Sequence, residues 1–160
     1  MQKGRAGNSL KKHIEESLKR VQLRQSQKRY VSTVEENQVI FCHGPAGTSK
    51  TFTACYLGLK LFSEKKIKRI VLCKPMVESG EKLGFLPGGE EEKISPYLKS
   101  YKSNIEKIIG VEMTQLMFDK KMITFEPLAY MRGDTYDDAL MILDEAQNAE
   151  MKSLMLFITR

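Results

Sequence analysis

A glycine-rich segment, GPAGTSKT at residues 44–51, constrains the fold more than any other feature of this sequence. It follows an apolar run at 38–42 (QVIFC) and precedes a segment at 50–62 that is apolar on one side of a helix. Between a strand and a helix, such a loop turns so that successive amides and the helix N-terminus face a bound phosphate. The pattern predicts a phosphate-binding loop in an α/β domain, with 38–42 as a buried strand. A right-handed βαβ unit would then lead through the helix to a strand at 68–73.

The loop residues have distinct expected roles. Gly44 and Gly47 permit the tight turn, Lys50 neutralises the β and γ phosphates, and the Thr51 hydroxyl ligates magnesium. Ser49 stands where the pattern has its second glycine, which costs about 1 kcal/mol if the position needs a positive φ. The predicted nucleotide-binding residues of the loop are Gly44, Pro45, Ala46, Gly47, Thr48, Ser49, Lys50 and Thr51. For the loop alone, an ordinary glycine-rich turn is the alternative.

An acidic pair follows a second apolar run, in LMILDEAQN at 140–148. Asp144 is expected at the carboxyl end of a buried strand, where open α/β sheets place their ligands. There Asp144 would hold magnesium, Glu145 would polarise an attacking water, and Gln147 would sense the γ phosphate. The predicted catalytic residues are Lys50, Asp144, Glu145 and Gln147, and the predicted metal ligands are Thr51 and Asp144. For a lone Asp-Glu pair, a solvated helix cap is the alternative.

Periodicity predicts the other elements. Asn8 and Ser9 are expected to cap a helix that runs to about Leu23, and its apolar stripe is expected to pack on the domain. The other predicted helices cover 27–34, 95–109, 114–119 and 149–160, and the other predicted strands cover 68–73, 122–125 and 139–143. Five glycines or prolines between 80 and 89 predict a long functional loop at 74–92, before the helix at 95–109.

Composition excludes some classes of protein. The chain of 160 residues has the length of one domain and no apolar run of the roughly 18 residues that a membrane span requires. The start of the sequence lacks an apolar signal core, so a cytoplasmic location is expected. Cys42, Cys55 and Cys73 lack the paired spacing of a metal site and are predicted to be reduced core thiols.

The net charge of +6 is concentrated at the N-terminus. Residues 1–29 contain nine Lys or Arg and two Glu, so the remaining residues sum to about −1. We interpret 1–26 as a basic helical arm and 27–160 as the phosphate-loop domain. Two roles stay open for the arm: holding a polyanion, or serving as a solvated helix that confers solubility.

Five blocks of the sequence resemble, in order, the PhoH-like family of phosphate-starvation-inducible ATPases. They are GPAGTSKT, VESGEKLGFLPG (77–88), PLAYMRG (127–133), ILDEAQN (142–148) and LFITR (156–160). The resemblance runs from about residue 27 to 160 and implies a P-loop NTPase of RecA-like fold, with a mostly parallel sheet and helices on both faces. It also implies a relation to the first domain of superfamily 1 helicases, binding of ATP with Mg²⁺, and a role in RNA or other nucleic-acid metabolism, with RNA favoured over DNA.

The resemblance carries over to single residues. Gln27 and Tyr30 match a family segment that would touch the adenine, and an ordinary surface helix is the alternative there. Candidate nucleic-acid contacts are Lys74, Lys82 and Arg132, together with Glu78 and Glu81. Asp134 replaces a second family arginine. In the family, LFITR is followed by a strand with a γ-phosphate sensor, so the domain is expected to be incomplete at its C-terminus.

The leading functional prediction is a magnesium-dependent ATPase coupled to nucleic acid. No arginine finger can be assigned in the sequence, so we expect a homo-oligomer in which a neighbour supplies one. The alternative is a nucleotide-binding module with little or no hydrolysis, which Ser49 and the missing sensor strand impair. A small-molecule kinase is a third possibility, which the Asp144–Glu145 pair fits less well.

Overall fold

The computed structural model describes residues 2–75, 90–131 and 135–159. Within these ranges the chain forms a three-stranded sheet in the order β2-β1-β3. The strands are β1 (Arg69–Lys74), β2 (Ile123–Pro127) and β3 (Ala139–Leu143). Both pairings are parallel, with Ile70 opposite Ile123 on one side and Leu140 on the other. The carboxyl ends of all three strands therefore lie at one edge of the sheet.

Six α-helices surround this sheet in the described ranges. They are α1 (Gln2–Lys19), α2 (Gln25–Glu36), α3 (Lys50–Ser63), α4 (Glu90–Ile109), α5 (Val111–Asp119) and α6 (Met151–Ile158). Short 3₁₀ turns cover Leu128–Tyr130 and Ala146–Asn148. No helix in the described part of the chain is both long and apolar enough to cross a bilayer.

The alternation of side chains along β1 divides the core into two layers. Ile70 and Leu72 point into a cluster formed with α1, α3, α4 and α5. Val71 and Cys73 point to the other face, where they pack with residues after β2 and with Phe157 of α6. Because a parallel sheet is apolar on both faces, it needs cover on both. The prediction of an α/β domain with a parallel sheet and helices on both faces is thus confirmed.

The prediction of a buried strand at 38–42 is wrong. These residues form no strand, and Val39 and Phe41 are 52% and 75% exposed. The segment lines a cleft opposite β3, but no ladder joins it to β3 in the sheet that the structure describes. A strand needs a hydrogen-bonding neighbour and cover for its side chains, and apolar composition alone supplies neither. The predicted βαβ unit through α3 is therefore not formed.

The predicted N-terminal cap is also wrong, because α1 begins at Gln2 and includes both Asn8 and Ser9. Its apolar stripe packs as expected: Leu10, Ile14 and Leu18 are buried in the main cluster. Packing of this stripe, rather than the local cap signal, decides where the helix forms.

Cys55 and Cys73 are buried as expected, whereas Cys42 is exposed because it lies in the segment that does not form a strand. The long loop predicted at 74–92 falls mostly outside the described residues, at 76–89, and this gap includes the whole VESGEKLGFLPG block.

Candidate nucleotide-binding site

The predicted residues of the glycine loop and of the acidic strand end meet at the carboxyl edge of the sheet, beside the N-terminus of α3. A cleft of about 890 Å³ is lined there by the loop at 44–51, the end of β3 and residues 144–147. The cleft thus combines the glycine loop and the acidic strand end, which are far apart in the sequence.

The loop has left-handed backbone at two positions. Gly47 has a φ of 76°, and Ser49 has a φ of 63° at the residue before α3. The position of the second pattern glycine therefore does need a positive φ, and a serine adopts it here. The Ser49 carbonyl accepts hydrogen bonds from the Thr53 amide at 3.0 Å and the Thr53 hydroxyl at 2.8 Å, which fixes the start of the helix.

The Lys50 ammonium lies over the glycine loop. Its Nζ donates to the carbonyl oxygens of Gly44 at 2.8 Å and Pro45 at 2.9 Å. The Thr48 hydroxyl donates to the same Pro45 oxygen at 2.9 Å. The lysine is thereby placed at the mouth of the loop, where the amides and the helix N-terminus favour an anion.

Thr51 and Asp144 face each other across the cleft. The Thr51 Oγ1 donates to the Asp144 Oδ2 at 3.0 Å, although 93 residues separate them. Thr51 lies in the first turn of α3, and Asp144 directly follows β3. Two oxygen ligands of the type that Mg²⁺ prefers are thus adjacent, one from each segment that the sequence singled out.

A buried tyrosine on α4 fixes the backbone at Asp144. The Tyr101 hydroxyl accepts from the Asp144 amide at 3.0 Å and donates to the Cys73 carbonyl at 2.7 Å. Tyr101 is fully buried, and this burial raises the pKa of its hydroxyl, which therefore stays protonated. Sequence reasoning missed this residue. Its helical spacing with Ile105 and Ile108 indicates burial, but no pattern shows that it spans the ends of two strands.

Glu145 and Gln147 form a pair at the rim of the cleft. Glu145 is exposed and has a left-handed φ of 56°. The Gln147 Nε2 donates to the Glu145 Oε2 at 2.5 Å. The amide that was predicted to sense a phosphate thus holds the neighbouring carboxylate.

The remaining predicted site residues have different locations. Tyr30 lines the cleft, and burial raises its pKa to about 12, with smaller contributions from Cys42, Cys55 and Asp144 nearby. The Gln27 side chain instead accepts from the Arg24 amide at 2.8 Å at the start of α2, and it does not line the cleft. Lys82 and Arg132 lie outside the described residues.

Lys74 lies at the site. Its Nζ is 3.7 Å from the Asp144 Oδ2, and the lysine side chain is only 15% exposed.

A lysine over a glycine loop, with the next threonine bonded to an aspartate at a parallel strand end, defines the P-loop class of α/β domains. A sequence model of the family described as "PhoH-like protein" matches residues 21–160. The chain belongs to this family.

Curated relatives agree with this assignment. A PhoH-like protein of Bacillus subtilis (strain 168) is 42% identical over 134 residues, which cover 84% of this chain and 42% of the relative. A PhoH-like protein of Mycobacterium tuberculosis (strain H37Rv) is 42% identical over 135 residues, covering 84% of this chain and 38% of the relative. Protein PhoH of Escherichia coli (strain K12) is 33% identical over 138 residues, covering 85% and 39%. The chain therefore spans well under half the length of these relatives.

Proposed function

We propose that this chain binds ATP with Mg²⁺ and hydrolyses it, in the cytoplasm and in association with nucleic acid, RNA more than DNA. The observation that carries the proposal is the 3.0 Å contact between Thr51 and Asp144 beside the lysine-covered glycine loop. This contact joins the two segments that a nucleoside triphosphate and its cation would occupy together.

The side chains fit a magnesium ion. Thr51 and Asp144 offer a hydroxyl and a carboxylate oxygen, and Mg²⁺ is held in proteins by one or two such ligands together with phosphate oxygens and water. When bound, the ion would be held by Thr51 and Asp144 and would neutralise the negative charge that develops on the phosphates.

The chain's own residues have separate tasks in this proposal. The Lys50 ammonium donates to two neutral carbonyls, and a phosphate oxygen is a charged and therefore stronger acceptor, so the lysine is placed to bind phosphate. Glu145 orients and polarises the attacking water. Gln147 keeps the Glu145 carboxylate in place through their hydrogen bond.

Magnesium-dependent phosphate release from ATP tests the proposal, with nucleotide binding measured separately. We expect Lys50→Ala to lose both binding and release, because it removes the charge at the loop. Glu145→Gln should keep binding and lose release by about a hundredfold or more, the usual contribution of a general base. Glu150→Gln is the matched control, since Glu150 is an exposed glutamate five residues further on whose side chain caps no helix.

Two outcomes separate the alternatives. Lys50-dependent binding without Glu145-dependent release would favour the nucleotide-binding module and refute the hydrolase. Binding that does not depend on Lys50 would refute the whole proposal.

For nucleic acid, we propose that 1–26 is a basic arm that packs on the domain at 27–160. Leu10, Ile14 and Leu18 are buried in the main core, so deleting the arm would disturb the fold itself. Charge neutralisation is the cleaner test. Lys12, Lys19 and Arg20 are exposed on and directly after α1, and their outward charges are not needed for packing.

Changing Lys12, Lys19 and Arg20 to Gln should weaken binding of single-stranded RNA. Loss of these three charges should reduce the magnitude of the slope of log affinity against log salt by about 2, since each phosphate contact contributes roughly 0.7. The matched control neutralises three exposed lysines elsewhere, Lys65, Lys120 and Lys121. An unchanged slope in the arm variant would show that the arm does not contact RNA.

We also propose that the chain acts as a homo-oligomer in which a neighbour supplies an arginine to the γ phosphate. Light scattering with and without ATP measures this. A monomer under conditions of full ATPase activity would refute it.

A further inference from the structure

Lys74 ends β1, and its ammonium lies among groups of α4 and β3. Its Nζ donates to the Ser100 hydroxyl at 3.1 Å and lies 5.7 Å from the centre of the Tyr101 ring. It also forms an ion pair with Asp144 at 3.7 Å. These contacts leave the side chain largely buried, so Lys74 is fixed at the site rather than displayed on the outer surface.

Lys74 and Thr51 contact the same carboxylate oxygen of Asp144. Asp144 Oδ2 is the atom that accepts from Thr51 and the atom that pairs with Lys74. The Asp144 side chain is 18% exposed, and a carboxylate that has lost most of its water needs a compensating charge. Lys74 supplies that charge from within the protein.

We propose that Lys74 is a positioning residue of the nucleotide site and that it competes with a divalent cation for Asp144. The inference rests on the proposed function, because it takes Asp144 as the residue that holds the cation. An ammonium beside the ligand oxygen repels the incoming ion, so Lys74 weakens binding of the metal alone. The phosphates of a nucleotide offset this repulsion, so Lys74 couples metal binding to nucleotide binding.

The test is titration with Mn²⁺ in the absence of nucleotide, with free Mn²⁺ measured by electron paramagnetic resonance. Lys74→Met removes the charge and keeps most of the side-chain volume. Even with the screening of bulk water, a unit charge a few ångströms from a divalent cation changes binding by roughly tenfold. We therefore expect Lys74→Met to bind Mn²⁺ about tenfold more tightly than the wild type, and Lys74→Arg to resemble the wild type.

The chain offers a matched control at the other end of the same strands. Lys68 pairs with Asp138 beside the first residues of β1 and β3, and the Lys68 side chain is 82% exposed. Lys68→Met removes a lysine from a lysine–aspartate pair far from the cleft and should leave Mn²⁺ binding unchanged. If Lys68→Met gained as much Mn²⁺ affinity as Lys74→Met, the effect would come from overall charge, and the proposal would be overturned.

A second measurement separates coupling from simple damage to the fold. With a non-hydrolysable ATP analogue present, the difference in Mn²⁺ affinity between Lys74→Met and the wild type should shrink. The thermal shift on adding Mn²⁺ alone should be larger in Lys74→Met, because tighter binding to the folded state raises its stability more. Equal or weaker Mn²⁺ binding by Lys74→Met would refute the competition.

If the wild type binds the nucleotide analogue in a Lys50-dependent way but Lys74→Met matches it in the Mn²⁺ titration, only the role of Lys74 is refuted. If Lys50 has no influence on nucleotide binding, the proposed function itself is refuted.

Discussion

Replacing Ser49 with glycine should stabilise the fold. Ser49 has a φ of 63°, a conformation that costs a residue with a side chain about 1–2 kcal/mol. Glycine avoids this cost but loses about 0.5–1 kcal/mol because its unfolded chain is more flexible. The net expectation is a gain of up to about 1.5 kcal/mol in the free energy of unfolding, with a central value of about 0.7 kcal/mol. For a chain of this size, the central value corresponds to a rise in the melting temperature of roughly 2 °C.

The effect of Ser49→Gly on nucleotide affinity should be small. The strain belongs to the folded conformation of the loop, so its relief appears in the unfolding equilibrium. Affinity then changes only through removal of an exposed side chain that makes no cap hydrogen bond. We expect the dissociation constant for ATP to stay within about threefold, or under 1 kcal/mol.

Two control variants isolate the backbone effect. Ser49→Ala keeps the side-chain carbon that causes the strain, so it should not give the gain. Lys65→Gly relieves the same strain at a φ of 62° in the turn after α3, away from the cleft, so it should match the gain in stability without touching the loop. Denaturant unfolding measures all three. If Lys65→Gly gains stability and Ser49→Gly does not, the strain assigned to Ser49 is wrong.

Two other expectations concern single positions. Lys121 ends the turn after α5 with a φ of 54°, so Lys121→Gly should raise the free energy of unfolding by up to about 1 kcal/mol. Lys120 has a φ of −87°, so Lys120→Gly should lower the free energy of unfolding. Denaturant unfolding measures both variants, and a gain in both would contradict this explanation. For the thiols, Cys42 is exposed in the cleft, while burial raises the pKa of Cys55 to about 12 and raises that of Cys73 as well. At mildly alkaline pH a disulfide reagent should therefore modify only Cys42 rapidly in the native protein, and Cys42→Ser should abolish this rapid reaction. Rapid labelling of all three thiols would refute the burial of Cys55 and Cys73.

The sequence predicts best those elements whose signal is local and complete. The predicted strand 139–143 has the same residues as β3, because five apolar residues between two aspartates are typical of a buried parallel strand. α3 follows its prediction to within one residue, since its start is fixed by the loop and its apolar face is continuous.

The sequence predicts less well those features that depend on residues distant in the sequence. The run at 38–42 has the composition of a strand, but strand formation needs a neighbour, which the local sequence does not encode. Tyr101 and Lys74 reach Asp144 across 43 and 70 residues of chain. Such contacts follow from the order of the strands and the packing of α4. The motif residues can be identified from the sequence because their chemistry requires a fixed spacing. Tyr101 and Lys74, which hold Asp144 in place, have no fixed spacing from the motifs.

Both halves of the candidate site end in a left-handed residue with a side chain, Ser49 before α3 and Glu145 after Asp144. A laboratory selection for heat resistance alone would therefore act on both positions in the same direction and enrich glycine or asparagine at each. At position 49 the enriched variants should keep the ability to bind nucleotide. At position 145 they would lose the carboxylate proposed to polarise water, so the most heat-resistant survivors of such a library should include stable proteins that bind ATP and release no phosphate.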